Sequence, residues 1–347
     1  MAWFAYQTHA GSWCSPDERH TNENLLPSGT VQFQVRTTDC MFGEPLLKHN
    51  ASDPWTREIL FRLDDRGNPE LTISYEDRAP CVIKSTIAYK TALTDILVTY
   101  AWDAPSRTAR LTVSNAGNFH GETVTVTNAP PLFKADLLEM ALNVPNTPFA
   151  YMAISDRPEP IGPMPGIDTL TQIDTPQGPR RAGEIRSGDQ IETDMGPQTV
   201  LARVSRSLPM AGAFAPVRLH APFHGLQRHM TVALHQSFVF GGADVEYAFG
   251  GSTVHIPAGL LETRRQPSPD WGLRTYCQFV LPKPAGIFAQ GAILASVNIG
   301  RIRRNATELP VSLLGAIPIE LLPDHGDASR HDLPEFAART LASGRLG

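Results

Sequence analysis

Thr175-Pro-Gln-Gly-Pro-Arg-Arg-Ala-Gly-Glu-Ile-Arg-Ser-Gly-Asp189 is the stretch that decides the fold of the C-terminal part of this 347-residue sequence. Its Pro-Gln-Gly-Pro segment is a turn signal, and Ser187-Gly-Asp189 is a second one. Gln190-Ile-Glu-Thr193 follows at once and has the pattern of a short strand. Two turns separated by Ala182-Gly-Glu-Ile185 and closed by a strand predict a compact β unit.

Six further blocks follow this opening in order along the chain. Together with it they resemble the Hint domain, the hedgehog/intein fold, in the bacterial form common in large exported proteins, over residues 166–300. The resemblance implies an all-β unit whose active members excise or cleave their own backbone. The blocks are Met195–Leu201, Phe214–Leu219, Arg228–Phe240, Thr253–Ala258, Thr275–Leu281 and Ile287–Ala292.

The resemblance also locates the nucleophile that self-processing requires. Active members open with a cysteine that attacks the preceding carbonyl, and a thiol suits this step because a useful thiolate fraction exists at neutral pH. Here the opening position falls on or near Gly166, and the nearby Thr169 offers only a hydroxyl. Thr169 is therefore a poor candidate nucleophile, displaced by several residues from the expected start.

The histidine positions of the family pattern are changed as well. The pattern Thr/Ser-x-x-His places Ala233 and Gln236 at its ends, with His235 one residue early. In an extended strand this shift sends the side chain to the opposite face, unless a bulge changes the register. Gln278 stands where a further histidine commonly follows. We expect a catalytically degenerate domain that is not an enzyme, with Thr169 and His235 as the residual candidates if it were active.

Residues 1–143 predict a separate all-β unit. Glu58–Leu63 and Glu70–Tyr75 flank the turn residues Asp64–Pro69, which is a hairpin signature. Several short strands at such close spacing indicate a β-sandwich. Tyr100-Ala-Trp-Asp103 lies on a strand before a turn and resembles the corresponding motif of laminin-G and concanavalin-like jelly rolls.

These patterns divide the chain into four segments and place it in the all-β class. The amphipathic helical pattern at 132–142 predicts a helix that closes the sandwich, and helical pieces are predicted in the tail at 309–322 and 334–341. The proline-rich stretch between the two β units predicts a semi-rigid linker, in which Phe149–Ser155 is apolar enough to be a strand. The segments are the jelly-roll-like sandwich 1–143, the linker 144–165, the Hint-like domain 166–300 and the partly helical tail 301–347.

Candidate binding residues lie in two loops of the sandwich. Trp55, in a polar loop, is the better aromatic candidate for stacking on a sugar. Asp64, Asp65 and Asn68 could form a calcium-lined turn, although such residues more often satisfy turn geometry.

Histidines near the middle of the Hint-like unit form a second pattern that suggests a metal. His220, His224 and His229 are close in sequence and are weak metal-ligand candidates. The alternative is a set of surface and turn histidines without a thiolate or carboxylate nearby. We expect no metal and no other cofactor.

Composition excludes some partners and compartments. The net charge is −5, and the basic residues cluster only at Arg301–Arg304, which argues against nucleic-acid binding. No apolar stretch approaches the roughly 20 residues of a membrane span. The N-terminus lacks the pattern of a signal peptide, so a cytoplasmic location or export by a non-classical route is expected. Cys14, Cys40, Cys81 and Cys277 are scattered, which is typical of free thiols.

Three function hypotheses follow. The first is a non-enzymatic structural or interaction protein that binds a protein partner or assembles with itself through the sandwich, with the Hint fold as a platform. The second is a carbohydrate-binding or adhesion module. The third is slow autoprocessing through Thr169 and His235.

Overall fold

A computed structural model describes residues 3–8, 10–14, 25–89, 95–143, 148–261, 272–326 and 333–344. The chain divides into two units, Met1–Glu159 and Pro160–Gly347. Across the described ranges, no helix has the length and apolarity needed to cross a bilayer. All four cysteines lie in described segments and are free thiols.

The first unit contains thirteen named strands and one helix among its described residues. They are β1 (Trp3–Thr8), β2 (Gly11–Cys14), β3 (Leu25–Leu26), β4 (Ser28–Arg36), β5 (Pro45–Ala51), β6 (Arg57–Leu63), β7 (Pro69–Tyr75), β8 (Cys81–Lys84), β9 (Asp95–Asp103), β10 (Thr108–Asn115), β11 (Gly121–Thr127), β12 (Leu132–Phe133), α1 (Lys134–Leu142) and β13 (Phe149–Ser155).

Two antiparallel sheets of this unit enclose one apolar core. The larger sheet has the order β11-β10-β9-β4-β13-β1-β2, the smaller one the order β5-β6-β7-β8, and β12 pairs with β3. Burial alternates along β6, so Ile59, Phe61 and Leu63 enter the core. The ring centroids of Phe61 and Phe33, one from each sheet, lie 4.8 Å apart. Burying each such ring stabilises the fold by about 1.5–3 kcal/mol. The predicted β-sandwich and the all-β class are confirmed.

The structure corrects the predicted linker over 144–165. Within it, Phe149–Ser155 forms β13, which pairs with β4 on one side and β1 on the other. Its side chains are almost all buried. Prolines flank the strand but do not interrupt it, so its backbone can bond to both neighbours. The first unit therefore extends to Glu159.

The second unit is built from shorter strands and four short helices in its described part. They are β14 (Ile167–Asp168), β15 (Gln172–Ile173), β16 (Arg180–Arg181), β17 (Gln190–Ile191), β18 (Gln198–Thr199), β19 (Ala202–Pro209), β20 (Pro216–Leu219), β21 (Met230–Ala233), β22 (Ser237–Gly241), α2 (Ala243–Phe249), β23 (Thr253–Pro257), α3 (Ala258–Leu261), β24 (Leu273–Val280), β25 (Gly286–Ala289), β26 (Ala292–Ala295), α4 (Gly300–Arg304) and α5 (Glu335–Gly344).

A five-stranded sheet positions the N-terminal end of this unit. Its order is β19-β24-β14-β21-β20, and a four-stranded sheet has the order β23-β22-β26-β25. The two residues of β14 thus lie between β24 and β21, with Ile167 paired to Cys277 and to Val232. All three of these side chains belong to the main apolar core of the unit.

The tail differs in part from its prediction. The helical pieces expected at 309–322 are two single 3₁₀ turns, at Leu309–Val311 and Ile319–Leu321, and no α-helix joins them. Pro310 and Pro318 explain the difference, because proline lacks the amide donor that a continuing helix needs. The helix expected at 334–341 is present as α5. Leu314 and Leu322 pack into a small core with Val204 of β19.

Candidate functional site

Gly166 immediately precedes β14, where three strands of the second unit meet. Its carbonyl oxygen accepts a hydrogen bond of 2.8 Å from the amide of Ala233, the last residue of β21. Gly166 is buried. The position that the family resemblance assigns to the nucleophile is therefore held firmly inside the fold, and it carries no side chain.

The turn after β21 brings two side chains against Gly166. A Cβ added at Gly166 would lie 2.8 Å from Gln236 Oε1 and 3.1 Å from His235 Nε2. The expectation that His235 faces away is wrong. β21 ends at Ala233, and the amide of Gln236 donates to the carbonyl of Ala233 at 3.0 Å to close a turn. Strand alternation does not apply within that turn, so neighbouring side chains converge.

His235 lies against the backbone that precedes Gly166. Its Nε2 is 3.4 Å from the carbonyl oxygen of Met164, and its Nδ1 is 3.2 Å from that of Ala213. The ring of Phe214 packs edge-on at 5.9 Å. Burial lowers the pKa of His235, and the carbonyl contacts oppose this shift only in part. The imidazole is therefore neutral at pH 7 and lies beside the upstream backbone.

An amide network occupies the remaining space beside Gly166. The Gln278 side chain donates from Nε2 to Gln236 Oε1 at 3.2 Å, and the Gln236 Nε2 donates to the Ala295 carbonyl at 3.1 Å. The Phe279 amide donates to Gln278 Oε1. Both glutamines are buried. Neither amide titrates near neutral pH, so this pair can hold the backbone in place but cannot shuttle protons. The family resemblance indicated that both glutamines stand where active members have histidine. It did not show that the two glutamines bond to each other.

Thr169 is not part of this arrangement. Its side chain packs against Gly183, whose amide donates to the Thr169 carbonyl. Three residues of extended chain span about 10 Å, which separates Thr169 from Gly166. Of the two residual catalytic candidates, the structure brings only His235 to the start of the unit. Asp168, which lies between Gly166 and Thr169 in the sequence, is buried and paired with Arg274.

The candidate calcium turn of the sandwich is held by other partners. Lys84 Nζ lies 2.6 Å from Asp64 Oδ2, and the amide of Asn68 donates to Asp64 Oδ1 at 2.9 Å. The Lys84 ammonium and these turn amides lower the pKa of Asp64 to about 2. The Asn68 amide group donates to the carbonyl of Ser85, and Asp65 Oδ1 lies beside Gly43. We therefore interpret Asp64 and Asn68 as residues that stabilise the turn.

Of the three candidate metal histidines, two lie side by side and the third bonds elsewhere. The rings of His220 and His229 lie 4.9 Å apart, and His229 Nδ1 accepts a bond from the Ala221 amide. His224 is buried, with Nε2 at 3.2 Å from the Leu261 carbonyl. Among the described residues, no group of three or more histidine, cysteine or acidic side chains could hold a metal ion.

Sequence reasoning missed a buried charge cluster in the sandwich. Arg57, the first residue of β6, donates from Nη2 to Asp136 Oδ1 of α1 at 2.7 Å and from Nε to the second oxygen. His49 Nε2 lies 3.4 Å from the same carboxylate. All three side chains are buried. Asp136 lies 79 positions from Arg57, and no local motif marks such a pair.

The fold is that of a two-unit all-β protein, and in its second unit Gly166 stands directly before β14. Residues 168–301 of that unit match the family model described as the Hint domain. The resemblance found in the sequence is confirmed over this range.

Solved structures with low identity also align with the chain. They are a heptameric SAP-like pentraxin from Limulus polyphemus (7% identity, TM-score 0.24, 44% of this chain and 58% of that chain), a legume lectin-like domain from Entamoeba histolytica (12%, 0.21, 38% and 66%) and the LG1-3 region of the laminin alpha2 chain (11%, 0.27, 86% and 56%). This chain thus spans 56–66% of the length of those proteins. Among curated proteins, none matches the chain.

Acidification should destabilise the second unit. Burial lowers the pKa of His224, His235 and His325 from the ordinary value of 6.5. The unfolded chain therefore binds more protons just below pH 6.5, and the stability present above that pH is lost as the pH falls towards the folded-state values. Each histidine contributes up to about 1.4 kcal/mol per pH unit in that window. Urea unfolding at pH 7.5, 6.5 and 5.5 measures the slope.

His325→Gln provides the control for this prediction. His325 Nδ1 accepts from the Ile299 amide and Nε2 lies 2.8 Å from the Leu281 carbonyl, and a glutamine offers one acceptor and one donor without titrating. The variant should lose part of the pH slope. An unfolding midpoint that does not change between pH 7.5 and 5.5 in the wild-type protein would contradict the prediction.

Proposed function

We propose that this protein is a non-enzymatic binding or assembly protein. In this proposal the Hint unit is a scaffold that does not cleave its own backbone, and the sandwich makes the intermolecular contact. The proposal accounts for a fold that keeps the strands and turns of a self-processing domain around a first position without a reactive group.

The observation that carries the proposal is the packing around Gly166. Self-cleavage through an ester or thioester needs a side-chain nucleophile at this position, and Gly166 has none. The space such a side chain would take is filled by Gln236, which is itself bonded to Gln278 and to the Ala295 carbonyl. In this proposal the nucleophile has been lost, and the buried hydrogen-bond network of the two glutamines holds the packing around Gly166 in place.

The position of His235 is an observation against the scaffold proposal. An imidazole beside the Met164 carbonyl could assist a leaving amide, which favours the autoprocessing hypothesis. That hypothesis also needs Thr169 to reach the same bond, and Thr169 packs against Gly183 instead. We therefore propose that His235 is a structural residue whose ring supports the turn after β21.

Binding is assigned to the sandwich because of a surface feature found there. A groove of about 580 Å³ crosses the ends of β5, β6 and β7. Trp55, which is 54% exposed, lies in the loop between the lining residues Ser52 and Thr56, and its ring packs on Phe133. Concave surfaces with a few polar groups are the usual place for ligand binding, which supports the sandwich as the binding unit.

Intact-mass spectrometry of the full chain tests the scaffold proposal. Fresh protein and protein kept for several days at 25 °C between pH 6 and 8, with and without added thiol, should both give the full-length mass. Thr169→Ala and His235→Gln variants should behave identically to the wild-type chain. Two fragments whose masses place a break next to Gly166, and which disappear in either variant, would contradict the proposal.

A further inference from the structure

Residues 161–165, at the start of the second unit, are paired with the C-terminal tail. The Ile161 amide donates to the Val311 carbonyl at 3.1 Å, and the Leu313 amide donates to the Gly162 carbonyl at 3.0 Å. The contact is a parallel β-bridge. One donor belongs to the early segment and the other to the tail, so each segment satisfies backbone groups of the other.

The part of the tail that makes this contact is itself anchored, and we call residues 305–325 the strap. Leu314 and Leu322, which are 0% and 3% exposed, pack into a small apolar core with residues of β19 and β24. The buried Glu308 accepts a bond of 2.8 Å from Arg301 of α4. The match to the Hint family model ends at this arginine, so the contact is made by a segment outside that match.

A different contact holds the second half of the early segment. His235 Nε2 lies 3.4 Å from the Met164 carbonyl oxygen, and Arg206 Nη1 lies 3.3 Å from the Met164 sulfur. Pro163 and Pro165 are buried and have no amide hydrogen to offer to any other chain. Residues 161–165 are therefore held along their whole length, by the strap at one end and by the turn after β21 at the other.

The position of this segment in the sequence gives the contact a consequence. The first unit ends at Glu159 and the second begins at Pro160, and connections between units are the usual places where proteases cut. A protease cuts a folded chain only after the local structure opens. Because Ile161 and Gly162 use backbone groups to bond the strap, the segment becomes available to a protease only when the strap separates from it.

We propose that the strap is a conformational lock, which keeps residues 161–165 closed and protects the connection between the two units from proteolysis. The inference rests on the proposed function in one respect, since a scaffold that carries the sandwich needs both units in one chain. It adds the segment that keeps the chain intact and gives the tail a role.

Hydrogen exchange of the full wild-type chain, followed by fragment-resolved mass spectrometry, tests the lock directly. The Ile161 and Leu313 amides donate in opposite directions across one contact, so both should exchange only when the strap separates. Their protection factors should agree within about tenfold. A larger difference in either direction would overturn the lock, because the segment and the strap would then open independently.

Two strap variants and a matched control extend the test to cleavage. Leu314→Ala removes an anchoring side chain of the strap. Leu313→Pro removes the amide that bonds to Gly162, and the extended Ser312 (ψ 172°) before it is compatible with a following proline. Leu226→Ala is the control, because it makes the same truncation at a residue that is 2% exposed in the main core of the unit.

Thermolysin, which cleaves before large apolar side chains, is the probe. It should cut between residues 160 and 167 about tenfold faster or more in both strap variants than in the wild-type chain, and within about twofold of the wild-type rate in Leu226→Ala. Wild-type rates in both folded strap variants, or equal acceleration in the control, would overturn the lock. If a strap variant does not fold, the exchange comparison in the wild-type chain decides.

The outcomes separate this proposal from the scaffold proposal. A chain that breaks next to Gly166 without added protease overturns the scaffold proposal, whatever the exchange rates are. A chain that keeps its full-length mass but exchanges Ile161 independently of Leu313 overturns the lock alone and leaves the scaffold proposal standing.

Discussion

Replacing Asp136 with alanine is expected to lower the free energy of unfolding of the sandwich by about 3–5 kcal/mol, because it leaves a buried guanidinium without its partner. Arg57 and Asp136 are both buried, and their two-pronged contact joins β6 to α1. Two further Arg57 bonds reach backbone carbonyls, and these cannot neutralise the charge. Chemical denaturation followed by tryptophan fluorescence measures the loss.

A pair that is more exposed than Arg57 and Asp136 provides the comparison for this prediction. Arg62 and Glu70 face each other on β6 and β7 at 2.7 Å, with the Arg62 side chain 39% exposed. Glu70→Ala leaves Arg62 and Lys84 able to reach solvent and should therefore cost less than Asp136→Ala, on the order of 1 kcal/mol. The double variant Arg57→Met with Asp136→Leu should recover most of the stability, since apolar replacement of a buried pair is often neutral. Equal losses of unfolding free energy in Asp136→Ala and Glu70→Ala would contradict the prediction, because burial would then not determine how much an ion pair contributes to stability.

Replacing Gly166 with alanine is expected to destabilise the second unit by about 1–3 kcal/mol, the usual effect of overpacking a filled interior. The new methyl group would lie 3.0 Å from Gln236 Cβ and 2.8 Å from Gln236 Oε1. The Gln236 side chain cannot move away freely, because its amide is bonded to Ala295 and Gln278. Thermal unfolding of the full chain, followed by a probe in the second unit, measures the change.

Gly326→Ala is the control for crowding at Gly166. No heavy atom lies within 4 Å of a Cβ added at Gly326, and its backbone is outside the left-handed region, so the expected change is within about 0.5 kcal/mol. A Gly166→Ala protein as stable as Gly326→Ala would mean that the site at Gly166 is not filled. It would also remove the main support for a scaffold in which the lost nucleophile is replaced by packing.

Much of the fold could be predicted from local sequence. The turn at Asp64–Pro69, the strands on either side and the opening Thr175–Asp189 depend on residues within one short window, because turn chemistry and side-chain alternation act locally. The strand at Phe149–Ser155 was also predicted, but its assignment to a linker was wrong for the opposite reason. Whether an apolar strand joins a sheet depends on free edges supplied by β1 and β4, which are more than a hundred residues away.

At the candidate site around Gly166, too, the properties of the residue types could be predicted from the sequence and the contacts between distant residues could not. The sequence by itself determined that Gly166 offers no nucleophile and that Gln236 and Gln278 cannot transfer protons, since these are properties of the residue types. Only the tertiary structure decided that His235 faces Gly166, because a turn replaces the strand that alternation assumed. Only the tertiary structure joined Gln236 to Gln278 and Arg57 to Asp136. Such pairs form where sheet register and helix packing bring distant positions together, and no local window of sequence contains that information.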